Sequence, residues 1–393
     1  MFSSRTNWNL TPNALHQLLE KKRKSGERIL DLTESNPTRC GFTYDPAVLE
    51  ALSTERSMSY EPEPHGLLIA RKAISDQYDR QRITVDPSNI FLTAGTSEAY
   101  SYLFRLLCNP GENVLVPKPS YPLFDYLCAL NDVEARHYRL RYYDEWELDF
   151  ESLTGAVDSS TRAILLVHPN NPTGSFVRTK DREAITKFAR EHGLALISDE
   201  VFGGFPLDNT EKPFESFATE PNGLVFTLNG VSKWLGLPQM KLAWIIVSGD
   251  EKLVSDATNR LEIISDTYLS VGTPVQHALP ALFLDETNVT GQIRNRIRSN
   301  YRFLIQFLGQ SSLSVLRAEG GWNAIVRLPG ILSDEAWATR ILAEGNVLFY
   351  PGHFFEVDLE ASVIVSLLPE ESVFSGGIHA MANVVRSALA PRV

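Results

Sequence analysis

This chain of 393 residues has few cysteines, no long apolar run and no excess of positive charge. The cysteines, Cys40, Cys108 and Cys128, are odd in number and lack CxxC spacing, so neither a disulfide framework nor a thiolate metal site is expected, and no metal site is predicted. No segment approaches the ~18 consecutive apolar residues of a membrane-spanning helix, and the first residues lack the basic and apolar pattern of a secretory leader. We therefore expect a cytoplasmic protein with no membrane partner.

The charge balance argues against nucleic acid as a partner. Lys and Arg total 37 against 48 Asp and Glu, a net charge of −11, so the surface should repel phosphodiester backbones. Hydrophobic residues make up 43% of the chain and charged residues 22%, which is typical of folded globular proteins. At about 150 residues per domain, the length predicts two or three domains.

The middle of the chain, from about residue 86 to 270, alternates short apolar runs with helical stretches. This alternation is typical of an α/β unit in which helices cover both faces of a mainly parallel sheet. Strands are predicted over residues 89–92, 113–116, 163–167, 194–198, 224–228 and 242–247.

Outside this middle part the pattern changes. A long helix is predicted over residues 291–309, followed by strands over 324–328 and 363–367, which together indicate an α+β unit. We expect three parts that meet around a cleft. They are an N-terminal segment (1–45) that packs with the small domain, a large domain (46–275) and a small C-terminal domain (276–393).

Two polar motifs directly follow predicted strands. Gly95, Thr96 and Ser97 lie where a strand gives way to a helix, so free backbone N–H groups and the positive end of the helix dipole would favour an anion there. The alternative is an ordinary N-cap at Thr96 or Ser97. Asn171, in a turn after the predicted strand 163–167, offers an amide that can donate to a ligand oxygen, although a purely structural turn is the alternative.

Two charged residues also follow predicted strands. Asp199 could hold a cation or a protonated ring nitrogen, or it could cap a helix. Lys233 lies between Val231 and Trp234, which would partly desolvate its amine, lower its pKa and make it a nucleophile for a carbonyl; an exposed lysine is the alternative. The carboxyl ends of strands in open α/β sheets are where ligands bind, so these motifs are expected to meet.

Taken together and in this order, the four motifs resemble the pyridoxal-phosphate (PLP) enzymes of fold type I, specifically the class I and II aminotransferases. The resemblance extends from Asn36-Pro37 to Pro351-Gly352. It implies a large α/β domain with a mainly parallel sheet between helices, and a smaller α+β domain formed by both termini. It also implies PLP as cofactor.

By this resemblance, specific residues take specific roles. Lys233 would form the Schiff base with PLP, Asp199 would pair with the pyridinium nitrogen, and Asn171 would donate to the phenolic oxygen. Tyr121 would stack on the ring. These residue types also suit the chemistry independently of the resemblance. A protonated ring withdraws electrons from the bond broken at Cα, and a free lysine amine can move the proton.

The resemblance also implies a phosphate cradle of Gly95, Thr96 and Ser97, completed by Lys241 where the family usually has an arginine. Lysine keeps the charge but loses the bidentate fork. Tyr60 matches a tyrosine that relatives lend to the phosphate of a neighbouring subunit, which implies a homodimer with shared sites.

Phe202 departs from the family pattern, because relatives carry a tyrosine there that donates to the phenolic oxygen. Without that donor, the pKa of the linkage between lysine and cofactor is expected to be raised.

The substrate side departs further. Relatives bind the substrate carboxylate with an arginine on a late strand, but residues 363–367 contain none, and Ile364 stands at the expected place. Asn36 and Arg39 are candidates for the missing contact, although Arg39 could be a solvated loop cation. An uncompensated carboxylate beside a buried isoleucine would cost several kcal/mol.

Two further substrate candidates lie late in the chain. Trp322 could form a wall of the substrate pocket or simply pack, and His353 could approach the site or be a surface histidine.

The function predicted by this resemblance is transfer of an amino group from an amino acid to a 2-oxo acid. A PLP-dependent lyase or decarboxylase of the same fold is the alternative, and the absence of the arginine supports considering it. A transcription regulator with an aminotransferase-like domain is disfavoured, because the resemblance begins within the first forty residues and the net charge is acidic.

Overall fold

The structure is a computed structural model that describes residues 1–207, 214–284, 286–309 and 311–390, with only the backbone of residues 286–288. The strands are β1 (Leu30–Asp31), β2 (Ile90–Thr93), β3 (Asn113–Lys118), β4 (Glu134–Tyr143), β5 (Glu145–Leu148), β6 (Thr161–Val167), β7 (Ala195–Asp199), β8 (Leu224–Gly230), β9 (Ala243–Gly249), β10 (Ser314–Val315), β11 (Asn323–Arg327), β12 (Val347–Leu348), β13 (Tyr350–Pro351) and β14 (Ser362–Ser366). The α-helices are α1 (Ala14–Lys24), α2 (Ala47–Leu52), α3 (Leu68–Asp79), α4 (Thr96–Leu107), α5 (Phe124–Leu130), α6 (Phe150–Ala156), α7 (Thr179–Glu191), α8 (Val231–Trp234), α9 (Glu251–Tyr268), α10 (Thr273–Leu284), α11 (Glu286–Leu308), α12 (Asp334–Gly345) and α13 (Glu371–Leu389).

The largest sheet has eight strands in the order β2-β9-β8-β7-β6-β3-β4-β5. The central pairs β3/β4, β3/β6, β6/β7 and β7/β8 are parallel, whereas β9 runs antiparallel to both β8 and β2. Strands β6 to β9 are buried along nearly their whole length, which explains their continuous apolar sequences. The six predicted strands are all in this sheet.

Helices cover both faces of the eight-stranded sheet. Along β6, Ala163 and Leu165 pack in the cluster that contains α4 and α9, whereas Ile164 and Leu166 pack with α6 and α7 on the other face. This alternation is the period of two that a strand imposes on its side chains. The predicted three-layer α/β arrangement is confirmed.

A second unit contains the antiparallel sheet β10-β11-β14-β13, covered by α11, α12 and α13. The N-terminal segment joins it, because β1 pairs in parallel with β12 and α1 packs against α12. Both ends of the chain therefore meet in the smaller α+β unit, as expected. Helix α10 packs against α3, with Ala278 and Leu279 beside Ala70 and Ile74, so the domain boundary placed at residue 275 stays a prediction.

No helix among the described residues combines the length and apolar character needed to cross a membrane.

Candidate active site

The topology brings five strand ends to one edge of the large sheet. The carboxyl ends of β6, β7 and β8 are adjacent, since Val167 pairs with Asp199 and Asp199 pairs with Leu228. The start of β9 lies there too, because Ala243 pairs with Gly230 at the end of β8 and with Thr93 at the end of β2. Loops after these strands carry the residues that the sequence singled out.

Lys233 extends from the short helix α8, directly after β8, into an aromatic environment. Its Nζ lies 5.0 Å from the ring centroid of Trp322 and 5.8 Å from that of Phe202. Burial lowers the pKa of this amine, and the nearby charge of Asp199 partly opposes that shift. Within the described part of the chain it forms no hydrogen bond or ion pair, so the amine is placed as a nucleophile rather than as a surface charge.

Asp199 is the last residue of β7 and is buried. Its Oδ1 accepts a hydrogen bond from the backbone N–H of Val201 at 3.1 Å, and its Oδ2 accepts one from Tyr100 Oη at 2.7 Å. Burial raises the pKa of the carboxyl, while these two donors and the Lys233 charge lower it. No α-helix begins at Asp199, so the helix-cap alternative does not apply.

The predicted anion cradle is the N-terminus of α4, a helix of 12 residues. Gly95 is the N-cap and supplies no side-chain cap, so the ordinary cap predicted as the alternative at Thr96 or Ser97 is not observed. A Cβ on Gly95 would lie 3.4 Å from Lys241 Nζ, which places that ammonium beside the helix N-terminus. Lys241 itself has a left-handed backbone, with φ of 50°.

Asn171 lies in the turn after β6, and Asn323 at the start of β11 holds its side chain. Asn323 Nδ2 donates to Asn171 Oδ1 at 2.7 Å, which leaves the NH2 group of Asn171 available to donate to a ligand. The contact joins the large sheet to the small unit.

Tyr121, after β3, is 37% exposed and its ring packs edge-on against Phe124 at 5.8 Å.

Trp322 and Phe202 form an apolar wall beside Lys233. Both rings are buried, with centroids 5.4 Å apart, and Phe205 packs against the other side of Trp322 at 5.1 Å. The indole Nε1 of Trp322 is buried without a hydrogen-bond partner among the described residues. Such a group costs free energy in the unliganded protein, so a ligand acceptor would relieve it.

The substrate side carries no arginine where the family pattern places one. Ile364 in β14 is fully buried (0% exposed) and packs with Trp146, Ile325 and Phe355. Arg39 extends into solvent, 3.9 Å from a carboxylate oxygen of Glu34, with its side chain 75% exposed.

Asn36 and His353 both have local partners. The side chain of Asn36 accepts hydrogen bonds from the backbone N–H and the hydroxyl of Thr38, at 3.1 and 2.8 Å. His353 Nδ1 lies 3.0 Å from Asp334 Oδ1, and the backbone N–H of His353 donates to Asp334 Oδ2. These contacts support the surface alternative for His353, and substrate roles for both residues stay predictions.

One group of described residues has the donor types of a metal site, although none was predicted. The ring of His137 lies between the carboxylates of Asp125 and Glu356, 3.3 Å from each. The hydrogen bond that His137 donates to Asp125 and the charge of Glu356 raise the pKa of His137. Lys118 Nζ is 3.8 Å from Glu356 Oε1, so the cluster is already balanced by two basic side chains and we treat it as ion pairs.

The residues at this edge fit PLP. A helix N-terminus with an adjacent ammonium and a glycine N-cap suits a phosphate group. Asp199 supplies a buried carboxylate for a protonated ring nitrogen, and Lys233 supplies an amine of lowered pKa for an aldehyde. The donor set thus matches the phosphate, the ring nitrogen and the aldehyde of the cofactor.

Two contacts escaped the sequence reasoning. Tyr100 was one of several aromatic residues on an amphipathic helix, and Asn323 was an ordinary polar residue before a strand. Spacing does carry a signal for Tyr100, since it lies four residues after Thr96 and so on the same face of α4. No comparable signal exists for Asn323, whose partner is 152 residues away.

Comparisons with known proteins identify the family of the chain. The family model "Aminotransferase class I and II" matches residues 27–373. The S-alkyl-thiohydroximate lyase of Arabidopsis thaliana is 33% identical over 269 residues, which are 65% of this chain and 56% of the lyase. The glutamate-pyruvate aminotransferase of Escherichia coli is 27% identical over 80% of this chain and 75% of its own length.

Solved structures show the same fold. An alanine aminotransferase from Pyrococcus furiosus superposes with a TM-score of 0.88 at 21% identity, covering 98% of this chain and all of that one (100%). An aminotransferase from Escherichia coli gives a TM-score of 0.87 at 23% identity, with 98% of each chain covered. The predicted fold class, enzyme class and cofactor are confirmed, and the chain belongs to the class I and II aminotransferases, which are PLP-dependent enzymes.

Proposed function

We propose that this protein transfers an amino group from an amino acid to a 2-oxo acid, with Lys233 as the residue that attaches the cofactor and moves the proton. The observation that carries the proposal is the placement of Lys233. Its amine, with a pKa lowered by burial, shares one sheet edge with the Asp199 carboxylate and the α4 anion cradle.

Bound PLP would supply an aldehyde and an electron-withdrawing ring that stabilises negative charge at the substrate Cα. The residues of the chain provide the rest. Asp199 keeps the ring nitrogen protonated, the N–H groups of residues 95–97 and the Lys241 ammonium bind the phosphate, and Asn171 donates to a ligand oxygen. The amine of Lys233 accepts and returns the proton at the substrate Cα.

Aromatic side chains would exclude water from the proton transfer. Trp322 and Phe202 cover Lys233 on one side, and Tyr121 is available to cover the ring from the loop after β3. Excluding water strengthens every electrostatic contact inside the site.

The elimination or decarboxylation alternative is supported by one structural observation. Ile364, at the place where the sequence resemblance leads us to expect a carboxylate-binding arginine, is fully buried among apolar side chains. One of the curated relatives is named a lyase. We propose amino transfer as the main activity, because the aminotransferases match over more of the chain.

A single-turnover assay separates the two activities. The purified protein carrying PLP is incubated with one amino acid at a time and no acceptor. Amino transfer predicts one equivalent of 2-oxo acid per site, with the nitrogen kept by the protein-bound cofactor. Continuous release of ammonia, thiol or carbon dioxide would instead assign the protein to elimination or decarboxylation.

We further propose that the protein acts as a homodimer in the cytoplasm. Tyr60 is 74% exposed on the surface of the single chain, as expected for a side chain that contacts the phosphate site of a second subunit. Sedimentation should show dimers for both wild type and Tyr60→Phe. A separate measurement of PLP affinity should show weaker binding only in the variant.

A further inference from the structure

Tyr100 has a buried hydroxyl group to which the proposed function assigns no role. It lies on the second turn of α4, is 2% exposed, and donates from Oη to Asp199 Oδ2 at 2.7 Å. The same helix presents the anion cradle at its first turn. One helix therefore carries both the phosphate-binding end and a donor to the carboxylate expected to face the ring nitrogen.

The Tyr100 hydroxyl is a permanent donor. Burial and the neighbouring Asp199 charge raise the pKa of Tyr100 well above its ordinary value, so the phenol stays protonated. Burial alone would favour a neutral Asp199, and the Tyr100 hydrogen bond acts in the opposite direction. Because a neutral carboxyl cannot hold a protonated ring nitrogen by charge, this bond bears directly on the task proposed for Asp199.

The ring of Tyr100 is held in place by neighbouring aromatics. It packs edge-on against Phe124 at 5.2 Å, and Phe124 in turn packs edge-on against Tyr121 at 5.8 Å. A continuous row of three rings therefore links the Asp199 carboxylate to the side chain predicted to stack on the cofactor. Removing only the hydroxyl would leave this row intact.

We propose that Tyr100 is a positioning residue that orients Asp199 and keeps it ionised for the ring nitrogen of the cofactor. The inference rests on the proposed function of the site. It requires no covalent step, because the hydroxyl acts only as a hydrogen-bond donor.

The test compares wild type with Tyr100→Phe, using PLP labelled with ¹⁵N at the ring nitrogen. Loss of a hydrogen bond to a charged group should weaken PLP binding roughly 10- to 100-fold. The ¹⁵N signal should move towards that of an unprotonated ring at a lower pH than in wild type. In steady state, kcat should fall while KM for the amino donor changes little.

Tyr102→Phe is the matched control, since Tyr102 is buried on the same helix and its ring packs against Tyr268 instead. It should keep the wild-type ¹⁵N titration. In an Asp199→Asn background, adding Tyr100→Phe should cause no further change in PLP binding, because the two residues act as one unit.

Three results would overturn the inference. They are a wild-type ¹⁵N titration in Tyr100→Phe, additive effects in the double variant, or unfolding of Tyr100→Phe alone, which would assign the hydroxyl to the fold. In each case a wild-type protein that still binds PLP through Lys233 leaves the proposed function standing. Failure of the wild type itself to bind PLP would instead refute the proposed function.

Discussion

The two sides of the candidate active site differ in how their polar groups are arranged. On the side of the large sheet, Asp199, Asn171 and the α4 N-terminus each have a defined donor, acceptor or neighbouring charge. On the side of the small unit, Ile364 of β14 is fully buried among apolar side chains, and the indole N–H of Trp322, near Lys233, has no hydrogen-bond partner among the described residues. The cofactor half is specified by charge and hydrogen bonds, whereas the substrate half is largely apolar.

This contrast follows from what each half must bind. A cofactor with a phosphate and a protonated nitrogen requires fixed counter-charges, and the strand ends of the large sheet are placed to supply them. Substrates vary, so the small unit is free to replace a cation by apolar side chains. We infer that this chain accepts substrates by shape and neutral donors more than by a charge at position 364.

Replacing Lys233 by alanine should have the largest effect and would break the cofactor half outright. Without the amine there is no covalent attachment and no base at Cα, so kcat should fall by a factor of ~10³ or more. Borohydride reduction followed by peptide mass spectrometry should label residue 233 in wild type and leave the variant unlabelled. Lys187→Ala, an exposed lysine on α7, should keep both label and activity. Labelling of a different lysine would contradict the assignment.

Ile364→Arg tests whether β14 can accept the arginine that the family pattern places there. An unpaired guanidinium among Trp146, Ile325 and Phe355 should cost about 3–5 kcal/mol of unfolding free energy. Urea unfolding measures this, and Ile364→Val, which only removes a methylene group, should cost about 0.5–1.5 kcal/mol.

The contrary outcome for Ile364→Arg is equally informative. If the variant is as stable as wild type and kcat/KM for α-amino acids rises, then the side chain reaches the cleft and the comparison between the two halves is wrong. The substrate carboxylate would then be bound at β14, as the sequence resemblance implies.

The sheet edge that carries the candidate cofactor residues could be predicted from the sequence, because these residues follow apolar strands. Strands β6, β7 and β8 are buried on both faces, so their continuous apolar runs mark where Asn171, Asp199 and the α8 lysine must emerge. The signal is local, and a few residues around each motif were enough.

The same reasoning missed β4 and β5. Strand β4 lies near the edge of the sheet and is only partly buried, with charged residues along much of its length, so no apolar run marks it. The partners of Asp199 and Asn171 were missed for a different reason. Tyr100 and Asn323 reach them across 99 and 152 residues. The place of Tyr100 on the same face of α4 as Thr96 was its only signal, and Asn323 had none.

A second buried carboxylate, next to Asp199, makes the stability of the protein depend on pH. Glu200 is fully buried next to Asp199 and accepts hydrogen bonds from Ser216 Oγ at 2.5 Å and from the backbone N–H of Phe217 at 2.7 Å. Burial raises the pKa of Glu200 to about 7. A carboxyl group whose pKa is raised by folding stabilises the folded protein fully at pH values below its pKa in the unfolded chain. That stabilisation is lost as the pH rises through the folded-state pKa of about 7.

Glu200→Gln should therefore remove a pH dependence from the apo protein. Between about pH 5 and pH 8 the unfolding free energy of the wild type should fall relative to the variant by up to about 3 kcal/mol, as measured by urea unfolding at each pH. Glu151→Gln, at an exposed position, should follow the wild type. Parallel curves for wild type and Glu200→Gln would show that Glu200 does not titrate in this window.

Phe202→Tyr is the finest test, because it adds one hydrogen-bond donor to the cofactor half without changing the apolar wall. The ring centroid of Phe202 lies 5.8 Å from Lys233 Nζ, at the position where the sequence resemblance leads us to expect a tyrosine. A hydroxyl that donates to the phenolic oxygen should lower the pKa of the lysine–cofactor linkage by about one unit, followed as an absorbance titration of the bound cofactor. Phe202→Leu, which adds no donor, should keep the wild-type pKa. Equal pKa values for wild type and Phe202→Tyr would mean that the ring at 202 faces Trp322 alone and has no access to the phenolic oxygen.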